Sequence, residues 1–188
     1  MSYTYATLKT AIQDYTDNTE SSFVTNLPNF IKAAEDRIFE AVDLELFRKN
    51  VTSTMTASDQ YLSIPEDLLA VFSLQITTSG SESFLLQKDV NYLREYTPNA
   101  STTGVPKYYA VFSVDHFLLA PAPASNYTVE LHYYYRPTSL VDTATTTWMS
   151  ANAPNVLLYG SLFEAYTFMK GEQDVIALYE KRFMDGLS

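Results

Sequence analysis

Apolar residues in this chain change their spacing twice. Up to residue 47 they recur every three or four positions. Between Phe47 and Thr147 they alternate, or gather in short runs broken by turn residues, and from Trp148 onward the helical spacing returns. The pattern predicts an α+β fold: N- and C-terminal α-helices packed together as a small bundle, with an antiparallel β-rich region inserted between them. At 188 residues the chain fits a single domain, divided as 1–47, 48–147 and 148–188.

The helical ends read as follows. Tyr5, Leu8, Ile12 and Tyr15 form a stripe over residues 3–15, and the polar run 16–22 breaks it. A second helix is expected to start near Asn26 as cap with Pro28 in its first turn, burying Phe30, Ile31, Ala34, Ile38 and Val42. Glu35, Asp36 and Arg37 are expected on its solvated side. Residues 154–183 read as two helices joined by a glycine. Leu158, Leu162, Ala165 and Met169 line one face of the first, and Tyr159, Phe163, Tyr166 and Lys170 a neighbouring one. A helix with two apolar faces needs two partners, so this stretch reads as a docking element.

In the middle, 51–57 and 60–64 are expected to pair as a hairpin around Ser58-Asp59, closed by Pro65. A strand over 70–77 would set Phe72, Leu74 and Ile76 on one face, followed by a turn at 78–81, a strand over 84–87 and a short helix over 89–96. Residues 107–113 and 117–120 pair across Val114-Asp115. The clearest strand is the last: Tyr127, Val129, Leu131, Tyr133 and Tyr135 alternate strictly with Thr128, Glu130, His132, Tyr134 and Arg136. Tyr134 therefore points away from Tyr133 and Tyr135 and is a candidate interface ring.

Chemistry-bearing constellations are scarce. The chain lacks a Gly-X-Ser-X-Gly elbow and a phosphate-cradling glycine loop, and Gly160-Ser161 reads as a close-packing site within a helix. His116 and His132 sit in neighbouring expected strands without the third and fourth ligands that zinc requires. Glu172 and Asp174 read as first-turn acids facing a helix dipole. No catalytic activity, cofactor or metal is expected.

Composition narrows the partners. Twenty-two acidic against twelve basic residues, a formal net charge of −10, disfavour a surface that grips nucleic acid, which needs clustered Lys and Arg. Fifteen tyrosines and eleven phenylalanines are enough for contact surface as well as core. Without cysteine there is no disulfide framework, as suits assembly in a reducing cytoplasm. Neither a secretion signal nor a membrane span is expected.

Taken in order, LPNFIKAAEDRIFEAV, YLSIPEDLLAVFSLQI, VPKYYAV, FLLAPAP, VELHYYYRPTSL and PNVLLYGSLFEAYTFMKGEQDVIALYEKRF resemble the head-to-tail adaptor (connector) proteins of tailed bacteriophages, in particular the tail tubular protein A group. The most specific pieces are the AEDRI helix, the turn Ile64-Pro65-Glu66-Asp67, the APAP hinge at 120–123 and the LLYGSLFEA helix at 157–165. The resemblance implies a structural virion protein in the neck: a homo-oligomeric ring, usually dodecameric, assembled in the host cytoplasm. Its implied partners are the portal protein and a tail or nozzle protein, with DNA passing through the lumen without specific binding and no membrane contact. It also implies that helices form the wall and meet the portal while the β part faces the tail. Many relatives extend further at the C-terminus, so helix faces are expected to carry docking here. Tyr159, Phe163, Tyr166, Tyr179, Phe183, Met184, Leu187 and Tyr134 are the expected interface residues. A tail-tube or baseplate subunit and a virion cell-wall hydrolase are the alternatives; the helical share weighs against the first, and the missing carboxylate pair against the second.

Overall fold

A computed structural model describes residues 2–41 and 44–187. Val42, expected in the second helix's stripe, lies outside them. In chain order the elements begin with α1 (Tyr5–Thr16), α2 (Ser21–Ala41), β1 (Arg48–Met55), β2 (Tyr61–Ser63), β3 (Leu68–Thr78), β4 (Ser81–Phe84), β5 (Leu86–Gln87) and α3 (Val90–Tyr96). They continue with β6 (Thr103–Gly104), β7 (Tyr108–Val111), β8 (His116–Ala120), β9 (Ala122–Pro123), β10 (Tyr127–Tyr135), α4 (Trp148–Asn152), α5 (Pro154–Phe168) and α6 (Gln173–Leu187). The fold is α+β, as the spacing predicts. Two compact units divide it: Met1–Leu46 with Pro137–Ser188, whose described elements are helices, and Phe47–Arg136, mostly strands.

In the helical unit α5 is the central element, packed against α1, α2, α4 and α6. Val156, Leu157, Leu158, Leu162 and Ala165 are buried around much of its circumference, so its apolar faces find their partners within the unit. Gly160 permits the closest approach: a Cβ there would lie 2.8 Å from Phe183 Cε2 and 3.0 Å from Ala34 Cβ. Ser161 is fully buried and donates to the Leu157 carbonyl at 2.7 Å. Burying Phe183, at 4 % exposure, contributes about 2–3 kcal/mol.

α2 starts earlier than its proline signal indicates. Asn18 Oδ1 accepts the Glu20 amide at 2.9 Å, and Phe23 and Leu27 extend the buried stripe by a full turn. Pro28 therefore stands inside the helix and Asn26 does not cap it; core burial outweighs the local breaker. Residues 137–147, expected with the β region, belong to the helical unit. Leu140 is fully buried there, and the Glu35 carboxylate accepts the Ser139 hydroxyl at 2.5 Å and the Leu140 amide at 2.8 Å. Glu35 is thus buried, while Asp36 and Arg37 are exposed as expected.

The β unit holds one sheet in the order β1-β10-β3-β4, a second in the order β2-β8-β7-β5, and the short parallel pair β6-β9. The residues expected as one hairpin diverge: β1 pairs with β10 and β2 with β8. A tight turn does lie between them, with the Asp59 amide donating to the Thr56 carbonyl, but it hands the chain from one sheet to the other. Ser79 and Gly80, both at positive φ, close the two-residue turn from β3 to β4. The core between the strands gathers Leu74, Ile76, Tyr109, Phe117, Leu119, Val129, Leu131 and Tyr133. The APAP segment begins with a cis Ala120–Pro121 bond, and its Ala122–Pro123 half forms β9.

Candidate functional site

The residues expected to form contact surfaces or to bind a ligand fall into three groups. Tyr159, Tyr166 and Tyr179 form a stack on α5 and α6, with ring centroids 6.3 Å apart for Tyr159–Tyr179 and 5.2 Å for Tyr166–Tyr179. The Tyr166 hydroxyl donates to the Tyr15 carbonyl at 3.0 Å, and the Arg182 guanidinium lies 5.4 Å from the Tyr159 ring. Burial, then the neighbouring Tyr166, pushes the Tyr179 phenol above its ordinary value. Tyr179 and Phe183 are buried and pack within the bundle, whereas Leu178 on the same helix is exposed. Phe163 is half-buried beneath the Arg37 guanidinium at 5.1 Å, and Arg37 Nε donates to Glu164 at 2.8 Å. Met184 is 58 % exposed, and Leu187 is half-buried.

Tyr134 belongs to the second group, on the outer face of the β1-β10-β3-β4 sheet, as its alternation predicts. The Arg48 guanidinium lies 4.7 Å from the Phe72 ring and 5.4 Å from Tyr134, and Phe72 meets His132 edge-on at 4.9 Å. Alternation alone sets Phe72 on one face with Leu74 and Ile76, but those two are buried and Phe72 is exposed. The cause is a pair of register shifts between β10 and β3: His132 pairs with Ser73 but Tyr133 with Val71, and Tyr134 pairs with Ala70 but Tyr135 with Leu68. Phe72 and Leu69 are the extra residues at these bulges, and both are exposed. Phe84 and Leu86 are exposed as well. Only strand pairing distinguishes these four from core residues.

The third group comprises candidate ligands. His116 and His132 lie in different sheets and meet different rings, Tyr61 for His116 and Phe72 for His132. His116 also borders an open groove with Tyr61 and Phe112. Among the described residues no three His, Cys, Asp or Glu side chains converge as a metal site. No helix among them is long and apolar enough to cross a membrane.

These surfaces acquire a context from comparison. The SU10 adaptor protein family model matches residues 3–188, across both compact units. The chain belongs to that family. No curated protein matches it. Membership makes the chain a phage adaptor protein, structural in kind. In this SU10-type adaptor the acid is unevenly distributed: the helical unit carries fourteen acidic and six basic side chains, and the β unit eight and six. The adaptor's buried acid, Glu35, is set apart from the rest. Burial pushes its carboxyl above the ordinary range, the bonds from Ser139 and Leu140 pull it back, and Asp36 and Asp142 push it further up.

Proposed function

We propose that the protein is a ring-forming neck component joining the portal to the tail and extending the DNA channel, in the manner of the tail tubular protein A group. The observation that carries this reading is the family match, which spans both units and leaves neither to a separate activity. The ring is a homo-oligomer, a dodecamer in this reading, assembled in the host cytoplasm and carried in the virion between capsid and tail. Helical units meet the portal, and β units, with Phe72, Phe84 and Leu86 exposed, meet the tail or nozzle protein. The acid excess of the helical unit supports a lumen that lets DNA slide, because phosphate contacts would need clustered cations. Tyr159, Phe163, Tyr166, Met184, Leu187 and Tyr134 are the side chains proposed to border these interfaces, with Tyr179 and Phe183 supporting them from within. Imaging of the virion neck tests the proposal. An axial ring of this protein is expected; copies scattered off the axis would overturn it, and tight salt-dependent DNA binding by the purified protein would overturn the passive channel.

A further inference from the structure

Both margins of the four-stranded sheet are open, and their geometry is complementary. In sheet order, β1, β10, β3 and β4 alternate in direction, every pair being antiparallel. A second copy placed with its β1 beside β4 continues that alternation and keeps its core face on the same side. Backbone parity agrees. The Tyr135 amide donates to the Phe47 carbonyl, so odd-numbered residues of β1 bond β10, and Asn50, Thr52 and Thr54 turn their N–H and C=O groups toward the open margin. At the other margin the Leu85 amide donates to Leu74, and Thr78 faces Ser81 across the turn, so Glu82 and Phe84 are the residues whose backbone turns outward. Side chains on both outward sets lie on the outer face: Phe84 stands opposite Gln75, and Asn50 and Gln75 both reach Glu130.

Of the two margins, β1 is the longer and the less interrupted. β1 runs eight residues without a proline or a register shift, and Asn50, Thr52, Ser53 and Thr54 are exposed. Phe84 is 61 % exposed on β4.

We infer that β1 of one copy pairs with β4 of the next, antiparallel, with Thr52 beside Glu82 and Asn50 beside Phe84. The β units then share one continuous sheet through a head-to-tail contact, the kind that generates rings. The inference rests on the ring proposed above and names the backbone joint within it.

The absence of cysteine makes the test clean. Virions are assembled from a mixture of Thr52→Cys and Glu82→Cys chains, and their thiols are joined with a short bis-maleimide, whose reach tolerates a two-residue register change. A cross-linked dimer that requires both chains is expected. Cross-linking of Thr52→Cys chains alone would mean two-fold β1–β1 pairing and would overturn the inference, as would no cross-link in virions containing both chains. A paired substitution provides a second measurement. The Thr52 amide faces outward, so Thr52→Pro should leave the isolated protein folded and abolish its incorporation, whereas Ser53→Pro removes a bond to β10 and should unfold the β unit. Normal incorporation of folded Thr52→Pro would overturn the joint while leaving the ring intact. A virion neck without any axial ring would instead defeat the parent reading.

Discussion

The Tyr133 hydroxyl donates to Asp67 Oδ1 at 2.8 Å, joining the later half of β10 to the turn that precedes β3. Lys49 Nζ bonds the other oxygen at 2.5 Å, and the Arg136 amide donates to the Asp67 carbonyl at 2.9 Å. One residue of the Ile64–Asp67 turn thus ties three parts of the β unit together.

Removing that donor should be costly. Tyr133 is 2 % exposed, and its phenol is pushed up to about 12 by burial and by the adjacent Asp67, so it remains a donor at any ordinary pH. Tyr133→Phe is expected to destabilise the β unit by about 1.5 kcal/mol, measured by urea unfolding. Burial raises the Asp67 carboxyl, but the Lys49 and Tyr133 bonds outweigh it and leave the net value below the ordinary one. Its contribution is therefore present above the unfolded aspartate value and is lost as pH falls through the folded one. Tyr133→Phe should reduce that acid-side loss.

Glu35 should act in the opposite direction. Its folded value is raised, so its contribution to stability is greatest below the ordinary glutamate value and declines as pH rises through the folded value. Glu35→Gln can still accept from the Leu140 amide and bond Ser139, and should flatten this slope with little loss at neutral pH. Glu35→Ala strands both donors and should cost about 2 kcal/mol. Denaturation midpoints across the acid-to-neutral range, compared among the three proteins, provide the check.

Gly160→Ala tests the close approach in the bundle. The added methyl meets the Phe183 ring and Ala34 Cβ, an overpacking worth about 1–3 kcal/mol against roughly 1 kcal/mol of gained helix propensity. A lowered melting temperature is expected, partly restored in Gly160→Ala combined with Phe183→Leu.

The proposed docking of the end of α6 on the portal is best tested at one side chain. Truncation after Phe183 would remove a turn in which Gly186 lies against Val156, and so would disturb packing as well as surface. Met184→Gln leaves that packing in place. Unchanged melting with reduced incorporation into virions is the expected result; full incorporation would remove Met184 from the interface.

Much of this fold was legible because each element's spacing is local. Val129, Leu131 and Tyr133 are buried along β10 as their alternation requires, and Leu8 and Ile12 along α1. What escaped was decided by pairing. Whether 51–57 meets 60–64 depends on β10 and β8, far along the chain, which pair eight residues of β1 and three of β2. Phe72 reads as sharing a face with Leu74 and Ile76 because alternation assumes an unbroken ladder, and the bulge at Phe72 breaks it. Glu35 reads as solvated because its acceptors' partners, Ser139 and Leu140, lie about a hundred residues away. Most interface candidates on α5 and α6 were legible as apolar and aromatic, but whether such residues are displayed depends on bundle packing.

The bond between Phe47 and Tyr135 has a consequence for how the chain reaches this state. These residues stand at the two ends of the β unit, and as a bonded antiparallel pair their Cα atoms lie about 5.5 Å apart. The helical unit is interrupted by 90 residues, and closing a flexible loop of that length would cost about 4 kcal/mol in chain entropy. Once β1 and β10 have zipped, that loop is already closed. Residues 46 and 137 are then held side by side, and α1 and α2 meet α4 to α6 as if the intervening strands were a short turn.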